Sequence, residues 1–411
     1  MKILHTADWH IGQQLHTRKR YQEFEQFFKW LVDKIAAESF HVLLVAGDIF
    51  DTTSPSNFAQ ELYNNFLAEV SKTPCRHVII TGGNHDSPSL LNAQRNVFKL
   101  LQIHVIGSAE KSPKDEVLLL HDANGKPELI VCAIPYLRDR DVRKSEPGET
   151  LEEKGKKLIE GVRIHYEEVC AEAERVQQSL GEWVPIVAMG HLFTAGGITT
   201  DSDGVRDLYI GSLGHVHAEI FPPCINYLAL GHLHSPQIVG NNNAMRYSGS
   251  PLPMNFAEAD HDKEVVSVEF IHKQIKVEGI KIPRFQELKR IRGDWEFIFN
   301  AVKEEKESGS KAFLELVYTG GEYIDHKLRD NLERCVEGSS LEILKINNER
   351  KRNRIIAEGE NSASLDDLQP LDVFKEILNQ EQIQENSRED LIARFLEIVT
   401  HIAEEDPKRE H

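Results

Sequence analysis

The chain has 411 residues, 40% of them hydrophobic and 28% charged, and a formal net charge of −18. This is the composition of a globular protein, with enough sequence for more than one domain. The five scattered cysteines form no Cys-x-x-Cys pair, which argues against a disulfide framework or a cysteine zinc site and fits a reducing cytosol. The N-terminus lacks a signal-peptide pattern, and no apolar run approaches the roughly 18–20 residues that span a bilayer. We therefore expect a cytoplasmic protein without a membrane segment.

The negative charge speaks against a nucleic-acid binder, because phosphate contacts normally need Lys and Arg. The acidic residues are unevenly distributed along the sequence, however. Residues 361–411 hold five Lys or Arg and thirteen Asp or Glu, a balance of 5 − 13 = −8. A carboxylate cluster that binds divalent metal also gains positive charge only with the metal. The net charge therefore does not exclude DNA as a substrate.

Apolar runs alternate with amphipathic segments up to about residue 280, which predicts an α/β fold. Helices are predicted at residues 21–37, 57–70, 92–101 and 151–180. Strands without polar endings are predicted at residues 129–134, 246–247 and 265–270.

Five further apolar runs each end at polar residues of metal-ligand type. The runs at residues 2–4, 42–46, 78–80, 186–189 and 227–230 have the length of buried strands. In chain order they lead to Asp8 and His10, to Asp48 and Asp51, to Asn84, His85 and Asp86, to His191, and to His232 and His234. Because strands of one sheet bring their ends to a common rim, we expect these side chains to converge.

The chemistry of this set is that of a cation site. Carboxylate, amide and imidazole groups suit divalent ions such as Mn²⁺, Mg²⁺, Fe²⁺ or Zn²⁺. A bridging carboxylate can hold two ions about 3.5–4 Å apart, and such a pair clamps the attacking and leaving oxygens of a phosphate. The pattern therefore predicts hydrolysis of a phosphate ester without a serine or cysteine nucleophile.

The ordered set Asp-x-His, Gly-Asp-x-x-Asp, Gly-Asn-His-Asp, Gly-His and Gly-His-x-His resembles the calcineurin-like metallophosphoesterase superfamily. The resemblance implies a four-layer α/β/β/α sandwich. The motif spacing, the stretch at residues 202–211 and the run Gly249-Ser250-Pro251 narrow the likeness to the nuclease subunits of bacterial complexes that contain a coiled-coil ATPase. The likeness covers the whole chain and is looser after residue 283.

The resemblance also implies roles for the motif residues. One metal ion would be bound by Asp8, His10, Asp48 and His234, and a second, bridged by Asp48, would be bound by Asn84, His191 and His232. Mn²⁺ is the expected ion, with Mg²⁺ as the alternative. His85 would contact the phosphate and help the leaving oxygen depart, and Asp86 would orient His85 by a hydrogen bond. Asp51 either supports Asp48 or caps the helix expected to begin near Ser54.

A second Gly-His-x-His, at residues 214–217, competes with the copy at residues 231–234. The upstream copy follows no apolar strand, whereas the downstream copy ends the run at residues 227–230. We therefore assign His232 and His234 to the site and interpret His215 and His217 as loop residues, with a phosphate contact as the alternative.

The boundary of the first domain is predicted at residues 282/283, where a proline interrupts the strand pattern. Residues 283–348 follow a β-α-β-α-β order and form a predicted α/β capping domain, and residues 349–368 form a linker. Residues 369–406 form two short amphipathic helices, which either pack on their own protein or dock a partner.

The resemblance implies a 3′-to-5′ double-strand exonuclease and endonuclease that acts on DNA ends and hairpins in repair, recombination and replication. It implies a homodimer within a heterotetramer, in which the C-terminal helices bind the ATPase. Residues 57–70 and 92–101 would form the dimer surface, although their apolar faces could equally be core. A small-molecule or nucleotide phosphoesterase is the alternative function. A scaffold without chemistry has no support, because all the ligands and His85 are present.

DNA contacts are the least determined feature of the sequence. Candidate backbone-contact groups are Arg18, Lys19, Arg20 and Arg138, with Arg140, Arg143 and Lys144 beside them. Each of these side chains could equally be a solvated surface charge. No basic segment with interleaved aromatic residues indicates base reading, so we expect binding that does not depend on the DNA sequence.

Overall fold

The computed structural model describes residues 1–143, 149–195, 216–320 and 326–349, and seven helical positions between Phe374 and Phe395. Its strands are β1 (Lys2–Thr6), β2 (Gln14–Leu15), β3 (Arg18–Lys19), β4 (Val42–Ala46), β5 (His77–Thr81), β6 (Ile103–Ile106), β7 (Val117–His121), β8 (Pro127–Ala133), β9 (Ile186–His191), β10 (Thr194–Ala195), β11 (Val216–His217), β12 (Tyr227–Gly231), β13 (Gln237–Val239), β14 (Asn242–Tyr247), β15 (Glu264–Ile271), β16 (Gln274–Lys281), β17 (Leu288–Gly293), β18 (Phe313–Tyr318) and β19 (Glu342–Asn348). Its α-helices are α1 (Tyr21–Glu38), α2 (Asn57–Val70), α3 (Pro88–Asn92), α4 (Arg95–Lys99), α5 (Asp139–Val142), α6 (Leu151–Leu180), α7 (Trp295–Glu307) and α8 (His326–Val336).

Two six-stranded sheets form the centre of the first 281 residues. The first sheet has the order β16-β15-β1-β4-β5-β6, and the second has the order β13-β14-β12-β9-β8-β7. In the first sheet β1, β4, β5 and β6 are parallel, and in the second β8, β9, β12 and β14 are parallel. The parallel strands that carry the polar endings are therefore neighbours within each sheet.

The sheets pack face to face, with helices on both outer sides. Leu44 of β4 and Ile79 of β5 belong to the same buried cluster as Val131 of β8 and Met189 of β9, so the inner faces meet. On the outside of the first sheet, residues of α1 and α2 pack with the aromatic side chain of Trp9. On the outside of the second sheet, α6 buries Tyr166 and Val169. This is the four-layer α/β/β/α sandwich, and the predicted fold class is confirmed.

The local sequence explains the helix ends. The side chain of Ser56 accepts a hydrogen bond from the backbone N–H of Ala59 and caps α2. Thr150 and Glu153 form a capping box at the start of α6. The predicted helix at residues 92–101 is wrong in its extent. The structure has two short helices here: α3, which Ser87 caps and which begins at Pro88 and ends at Asn92, and α4, which covers Arg95–Lys99.

Residues after 283 form a separate parallel sheet of order β17-β18-β19, with α7 and α8 sharing its apolar cluster. This is the predicted β-α-β-α-β order. A small apolar cluster joins this unit to the first one through Leu15, Phe256 and Phe313, and Arg18 adds an ion pair to Glu342 at 3.2 Å. The division at residues 282/283 remains a prediction. So does the linker at 349–368, of which only residue 349 is described.

The C-terminal helical pair is described at seven positions only. All seven are helical, and the rings of Phe374 and Phe395 stack with centroids 4.2 Å apart. The two predicted helices therefore contact each other through aromatic side chains. Among the described helices, none combines the length and apolar character that crossing a bilayer requires.

His5 of β1 provides a test of the packing between the two sheets. It is fully buried and its Nδ1 lies 2.9 Å from the hydroxyl of Tyr227 in β12. Burial lowers the pKa of His5 to about 3. The unfolded chain therefore takes up a proton near the ordinary pKa, whereas the folded chain does not, so stability falls as the pH drops from about 6.5 towards 3.

We expect the free energy of unfolding of the wild type to fall by up to about 1.4 kcal/mol more per pH unit than that of a His5→Asn variant within this range. Chemical denaturation at pH 7, 6 and 5 in the presence of a chelator measures both slopes. Equal slopes would show that His5 is accessible to protons in the folded protein.

Candidate metal centre

The polar endings of five strands meet at one rim of the sandwich. Those of β1, β4 and β5 come from the first sheet, and those of β9 and β12 come from the second. The backbone amide of Asp8 donates to the carbonyl of Gly47, and that of His10 to the carbonyl of Asp48, which ties the endings of β1 and β4 together. The convergence that the sequence predicted is therefore present.

The backbone is strained at four of the predicted ligands. Asp8, His10, Asp48 and His232 have φ values of 52°, 48°, 50° and 104°. Residues other than glycine rarely occupy this region, and such outliers cluster at functional sites because the surrounding structure must hold them there. In this backbone conformation the four side chains point towards the same part of the rim.

Two glycines of the motifs lie so close to ligand side chains that no other residue fits at their positions. A Cβ on Gly83 would collide with the carboxylate of Asp48, and a Cβ on Gly47 would collide with the ring of His191. Gly47 also has a φ of 83°. The glycines before the polar residues therefore allow the two sheets to bring their ligand groups together.

One half of the centre contains Asp8, His10 and His234, whose candidate ligand atoms all lie within 4.8 Å of one another. The Nε2 atoms of His10 and His234 are 3.2 Å apart. Asp8 accepts the backbone N–H of His232 through Oδ1 at 2.8 Å, while its buried Oδ2 has no hydrogen-bond partner within the described part of the chain. A buried carboxylate oxygen without a donor beside two imidazoles fits a bound cation.

The other half contains Asp48, His191 and His232, with Asn84 beside them. The Nδ1 of His191 donates to the carbonyl of Ala46 at 2.9 Å, which leaves Nε2 for a cation or a proton. That Nε2 lies 3.0 Å from Oδ1 of Asn84 and 3.2 Å from Oδ2 of Asp48, and Nδ1 of His232 lies 3.1 Å from the same Asn84 oxygen. Several acceptors thus face one point, as in a divalent-cation site.

Asp48 belongs to both halves. Its Oδ2 lies 3.5 Å from Nε2 of His10 and 3.2 Å from Nε2 of His191. Its Oδ1 accepts the backbone N–H of His85 at 2.9 Å, which holds the carboxylate in place. This position fits the predicted bridging ligand.

The electrostatics of the cluster also fit a bound cation. Burial raises the pKa of Asp8 to about 7. Burial acts against ionisation of Asp48 as well, but the facing His191 and His85 hold the pKa of this carboxyl well below its usual range. Burial alone would lower the pKa of His10 and His191, but neighbouring carboxylates raise both to about 9. Protons on these two rings supply positive charge that a bound metal ion would replace.

His85 and Asp86 lie at the same rim, but not in the predicted relation. The carboxylate of Asp86 accepts the backbone N–H groups of Ile49, Phe50 and Gly83 at 2.8–3.0 Å, and Nδ1 of His85 lies 2.9 Å from the backbone carbonyl of Asp51. The expectation that Asp86 orients His85 directly is therefore wrong. Asp86 is fully buried and instead joins the loops after β4 and β5 through these three hydrogen bonds.

Asp51 neither supports Asp48 nor caps a helix. Its Oδ1 lies 3.4 Å from Nδ1 of His10, and the cap of α2 is Ser56. The helix-capping alternative is wrong, and the supporting contact of Asp51 goes to His10 rather than to Asp48. His10, Asp51 and His85 also form a third group that could hold an ion. Since Nε2 of His10 faces the main cluster, Nδ1 is left for a supporting contact with Asp51.

Of the second Gly-His-x-His, His217 is exposed and lies at the end of the two-residue strand β11. It belongs to none of the ligand clusters found among the described residues. His215, like the stretch at residues 202–211, lies outside the described residues.

The predicted DNA contacts separate into exposed and buried groups. Arg18 and Lys19 are exposed on β3, although Arg18 pairs with Glu342. Arg20 is buried and engaged by Glu23, Gln13 and the carbonyl of Pro253, so its prediction as a DNA contact is wrong.

Arg138 is also buried, with Nη2 donating to the carbonyl of Asp86 at 3.3 Å, while its Nε and Nη1 have no hydrogen-bond partner within the described regions. Arg140 is exposed, and Arg143 pairs with Asp139 and Glu149. Lys144 lies outside the described residues.

Sequence reasoning missed Glu258 and Lys263, which form a buried ion pair next to His234. Neither residue follows a ligand-bearing strand, so no local pattern marks them. The nearest signal is the run Gly249-Ser250-Pro251, because Ser250 contacts Lys263.

Two family models match the chain. The model of the calcineurin-like phosphoesterases matches residues 1–236, which contain all five strand endings. The model described as the type 5 capsule protein repressor C-terminal domain matches residues 284–382. The fold and the site are therefore those of a metallophosphoesterase, a class of hydrolase that binds divalent metal.

Curated relatives refine this assignment. The SbcD subunit of the nuclease SbcCD from Escherichia coli K12 is 33% identical over 95% of this chain and 96% of its own length. The proteins of the same name from Rhodobacter capsulatus and Bacillus subtilis are 36% and 34% identical, over 64% and 66% of this chain and 65% and 66% of their own lengths. The chain belongs to the SbcD family of calcineurin-like metallophosphoesterases. The resemblance stated from the motifs is confirmed.

Divalent metal should stabilise this fold through Asp48. A ligand that binds only the folded state at a hundredfold excess over its Kd adds about 2.7 kcal/mol per site. We expect Mn²⁺ to raise the Tm of chelator-treated wild type, and we expect Asp48→Asn to lose most of this rise because the shared oxygen loses its charge. Differential scanning calorimetry measures the shift.

Asp122→Asn is the matched control, because Asp122 is a partly exposed carboxylate in the turn after β7, outside the metal clusters of the described residues. Its variant should keep the full rise in Tm. A full rise in Asp48→Asn as well would remove Asp48 from the metal site.

Proposed function

We propose that this chain is the nuclease subunit of an SbcCD-type complex and hydrolyses DNA phosphodiester bonds with two divalent ions, most favourably Mn²⁺. The proposed activities are 3′-to-5′ double-strand exonuclease and endonuclease on ends and hairpins, in repair, recombination and replication in the cytoplasm. The observation that carries the proposal is the position of Asp48 Oδ2 between the two ligand clusters. The names of the relatives support the choice of substrate.

The ligands divide between two ion positions. Asp8, His10, Asp48 and His234 would hold one ion, and Asp48, Asn84, His191 and His232 would hold the other. When bound, the ions supply the charge that activates a water molecule and stabilises the phosphate. The chain's own residues hold the ligand atoms in place through the strained turns and through Asp86.

His85 is the proposed proton donor to the leaving oxygen. Its Nδ1 is engaged by the carbonyl of Asp51 at 2.9 Å, so the opposite nitrogen is free to face a substrate. Its ring lies edge-on to that of His10, with centroids 4.8 Å apart, which places it beside the ligand cluster. A side chain held in this way suits general acid catalysis.

The proposed DNA contacts are Arg18, Lys19 and Arg138. Arg18 and Lys19 are exposed on β3 next to the proposed capping domain, and the buried Arg138 has two nitrogens, Nε and Nη1, without hydrogen-bond partners among the described residues. The net charge of −18 opposes non-specific DNA binding by the chain as a whole. Contacts to the phosphate backbone make the activity fall steeply as salt rises.

A homodimer within a heterotetramer is proposed through α2 and α4. Phe58 on α2 and Val97 on α4 are exposed, and Leu100 beside α4 is 82% exposed, so these helices present several large apolar side chains to solvent. The edge-on contact of Tyr63 with Phe98 places the two helices side by side. Covering these side chains with a second copy would bury them.

The partner is proposed to be an SbcC-type coiled-coil ATPase, bound by the helical pair at residues 369–406. Phe374 and Phe395 stack on each other, which supports a paired unit able to present a common surface. Residues 283–348 are the proposed capping domain, joined to the first domain through Leu15, Phe256 and Phe313.

A small-molecule or nucleotide phosphoesterase is the second candidate, because the same metal chemistry serves such substrates. The additional α/β unit and the C-terminal helices favour the nuclease, since a small substrate needs neither. The two functions differ in a direct assay on DNA and on a chromogenic monoester.

We expect Mn²⁺-dependent cleavage of hairpin and blunt duplex DNA by the wild type, and a reduction by about 10²–10⁴-fold in kcat for His85→Ala, because a general acid contributes a factor of that order. Single-turnover gel assays measure the rate. Mn²⁺ binding should be unchanged, since His85 is proposed not to be a ligand.

His217→Ala is the control, because His217 is an exposed histidine outside the clusters. Its rate should equal that of the wild type. Hydrolysis of the monoester alone would exclude the nuclease, and a wild-type rate in His85→Ala would remove His85 from the mechanism.

Deleting the residues after Ser364 should abolish binding to the ATPase partner while leaving Mn²⁺ binding intact, because the metal ligands all lie between residues 8 and 234. Size-exclusion chromatography of the mixed subunits measures the first property, and calorimetric titration measures the second. Full ATPase binding by the truncated chain would contradict the docking proposal.

A further inference from the structure

A buried ion pair lies directly behind His234. The Nζ of Lys263 is 2.6 Å from Oε2 of Glu258, and the two side chains are 4% and 0% exposed. Nζ also donates to the backbone carbonyl of His234 at 3.0 Å and to Oγ of Ser250 at 2.9 Å, so all three of its N–H donors are used. Burying two charges costs desolvation free energy, so such a pair is not explained by stability alone.

The second oxygen of Glu258 faces His234. Oε2 is occupied by Lys263 and by the backbone N–H of Met254 at 3.0 Å. Oε1 is buried, has no hydrogen-bond partner in the described regions, and lies 4.0 Å from Nδ1 of His234, which is also buried without a partner there. The opposite nitrogen of the ring, Nε2, faces His10 at 3.2 Å within the ligand cluster.

We propose that Glu258 and Lys263 are positioning residues for His234. Glu258 Oε1 accepts the Nδ1–H of His234, which fixes the tautomer that presents the Nε2 lone pair to a cation. The inference rests on the metal centre of the proposed function. Imidazoles that bind metal usually donate their other N–H to a carboxylate or carbonyl, and a movement of about 1 Å would close the present gap to a hydrogen bond.

Lys263 orients the carboxylate of Glu258 towards His234. It holds Oε2, leaves Oε1 as the free acceptor, and anchors the backbone of His234 through the carbonyl. The backbone N–H of Ser250 donates to the same carbonyl at 3.0 Å. Gly249, with φ of 74°, lies so close that a Cβ there would meet this carbonyl oxygen at 2.7 Å. The run Gly249-Ser250-Pro251 thus supports the His234 turn.

The decisive variant is Glu258→Gln. Lys263 and Met254 both donate at the Oε2 position, so the amide oxygen must lie there and the amide NH₂ must face Nδ1 of His234. A donor at that point forces the proton of His234 onto Nε2, where it blocks the cation. We expect one of two Mn²⁺ sites to weaken by about 10–100-fold while the other keeps its affinity.

Calorimetric titration of the chelator-treated full chain with Mn²⁺ measures both affinities, and electron paramagnetic resonance reports whether the ions form a spin-coupled pair. The coupled signal should appear in the wild type and be lost in Glu258→Gln at the same Mn²⁺ concentration. Glu116→Gln is the matched control, since Glu116 is a buried glutamate 2.8 Å from Nε2 of His165, outside the metal clusters of the described residues. This control should bind both ions normally.

The outcomes separate the two proposals. If the wild type binds no Mn²⁺, the metal centre is wrong and this inference falls with it. If the wild type binds two ions and Glu258→Gln binds them equally well, or if Glu116→Gln weakens binding to the same extent, only the positioning role is overturned.

If Glu258→Gln does not fold, the double variant Glu258→Met/Lys263→Met replaces it, because removing both charges with similar volume tends to preserve a fold. It leaves Nδ1 of His234 without an acceptor and should show the same loss of one site. Wild-type affinity in the double variant would overturn the proposal.

Discussion

The carboxylate of Asp48 is the contact on which the arrangement of the rim depends. Its Oδ2 lies between imidazoles that come from different sheets, His10 from the first and His191 from the second. Acceptor groups cannot be gathered in a buried volume unless a positive charge joins them, because unpaired buried acceptors cost free energy. The rim of this sandwich is therefore built for a cation, and the packing of the sheets serves to hold its ligands.

Holding such a cluster requires rigid turns. The strained backbone at Asp8, His10 and Asp48 would relax if the surrounding loops were free to move. The carboxylate of Asp86 prevents this by accepting three backbone N–H groups from the loops after β4 and β5. Asp86 thus acts on the chemistry through the backbone, while the carbonyl of Asp51 holds the ring of His85.

The chain combines strong overall acidity with a substrate that is proposed to be a polyanion. Residues 361–411 carry a balance of 5 − 13 = −8, so residues 1–360 still carry −18 + 8 = −10. Several basic groups near the first domain are used internally, as Arg20 is by Glu23 and Arg143 is by Glu149. The positive charge that meets the phosphate therefore has to come mainly from the bound ions.

The sequence by itself determined the strand endings, the α/β class and the set of candidate ligands that meet at the rim, because each depends on local order: an apolar run, a glycine, then a polar group. It also separated His232 and His234 from the upstream copy, since only one copy follows a strand. It could not determine contacts between residues distant in the chain. Asp86 was assigned to its neighbour His85, but in the fold the amides of Ile49 and Phe50 reach it first.

Tertiary structure alone decided which charged groups are buried and what they touch. Arg18 and Arg20 are two residues apart in the sequence, yet one is exposed on β3 and the other is enclosed by Glu23 and Pro253. Glu258 and Lys263 carry no sequence signal, because their role comes from a turn that brings them behind His234. Local patterns specify which residues end a strand, whereas the packing of two sheets specifies which side chains meet there.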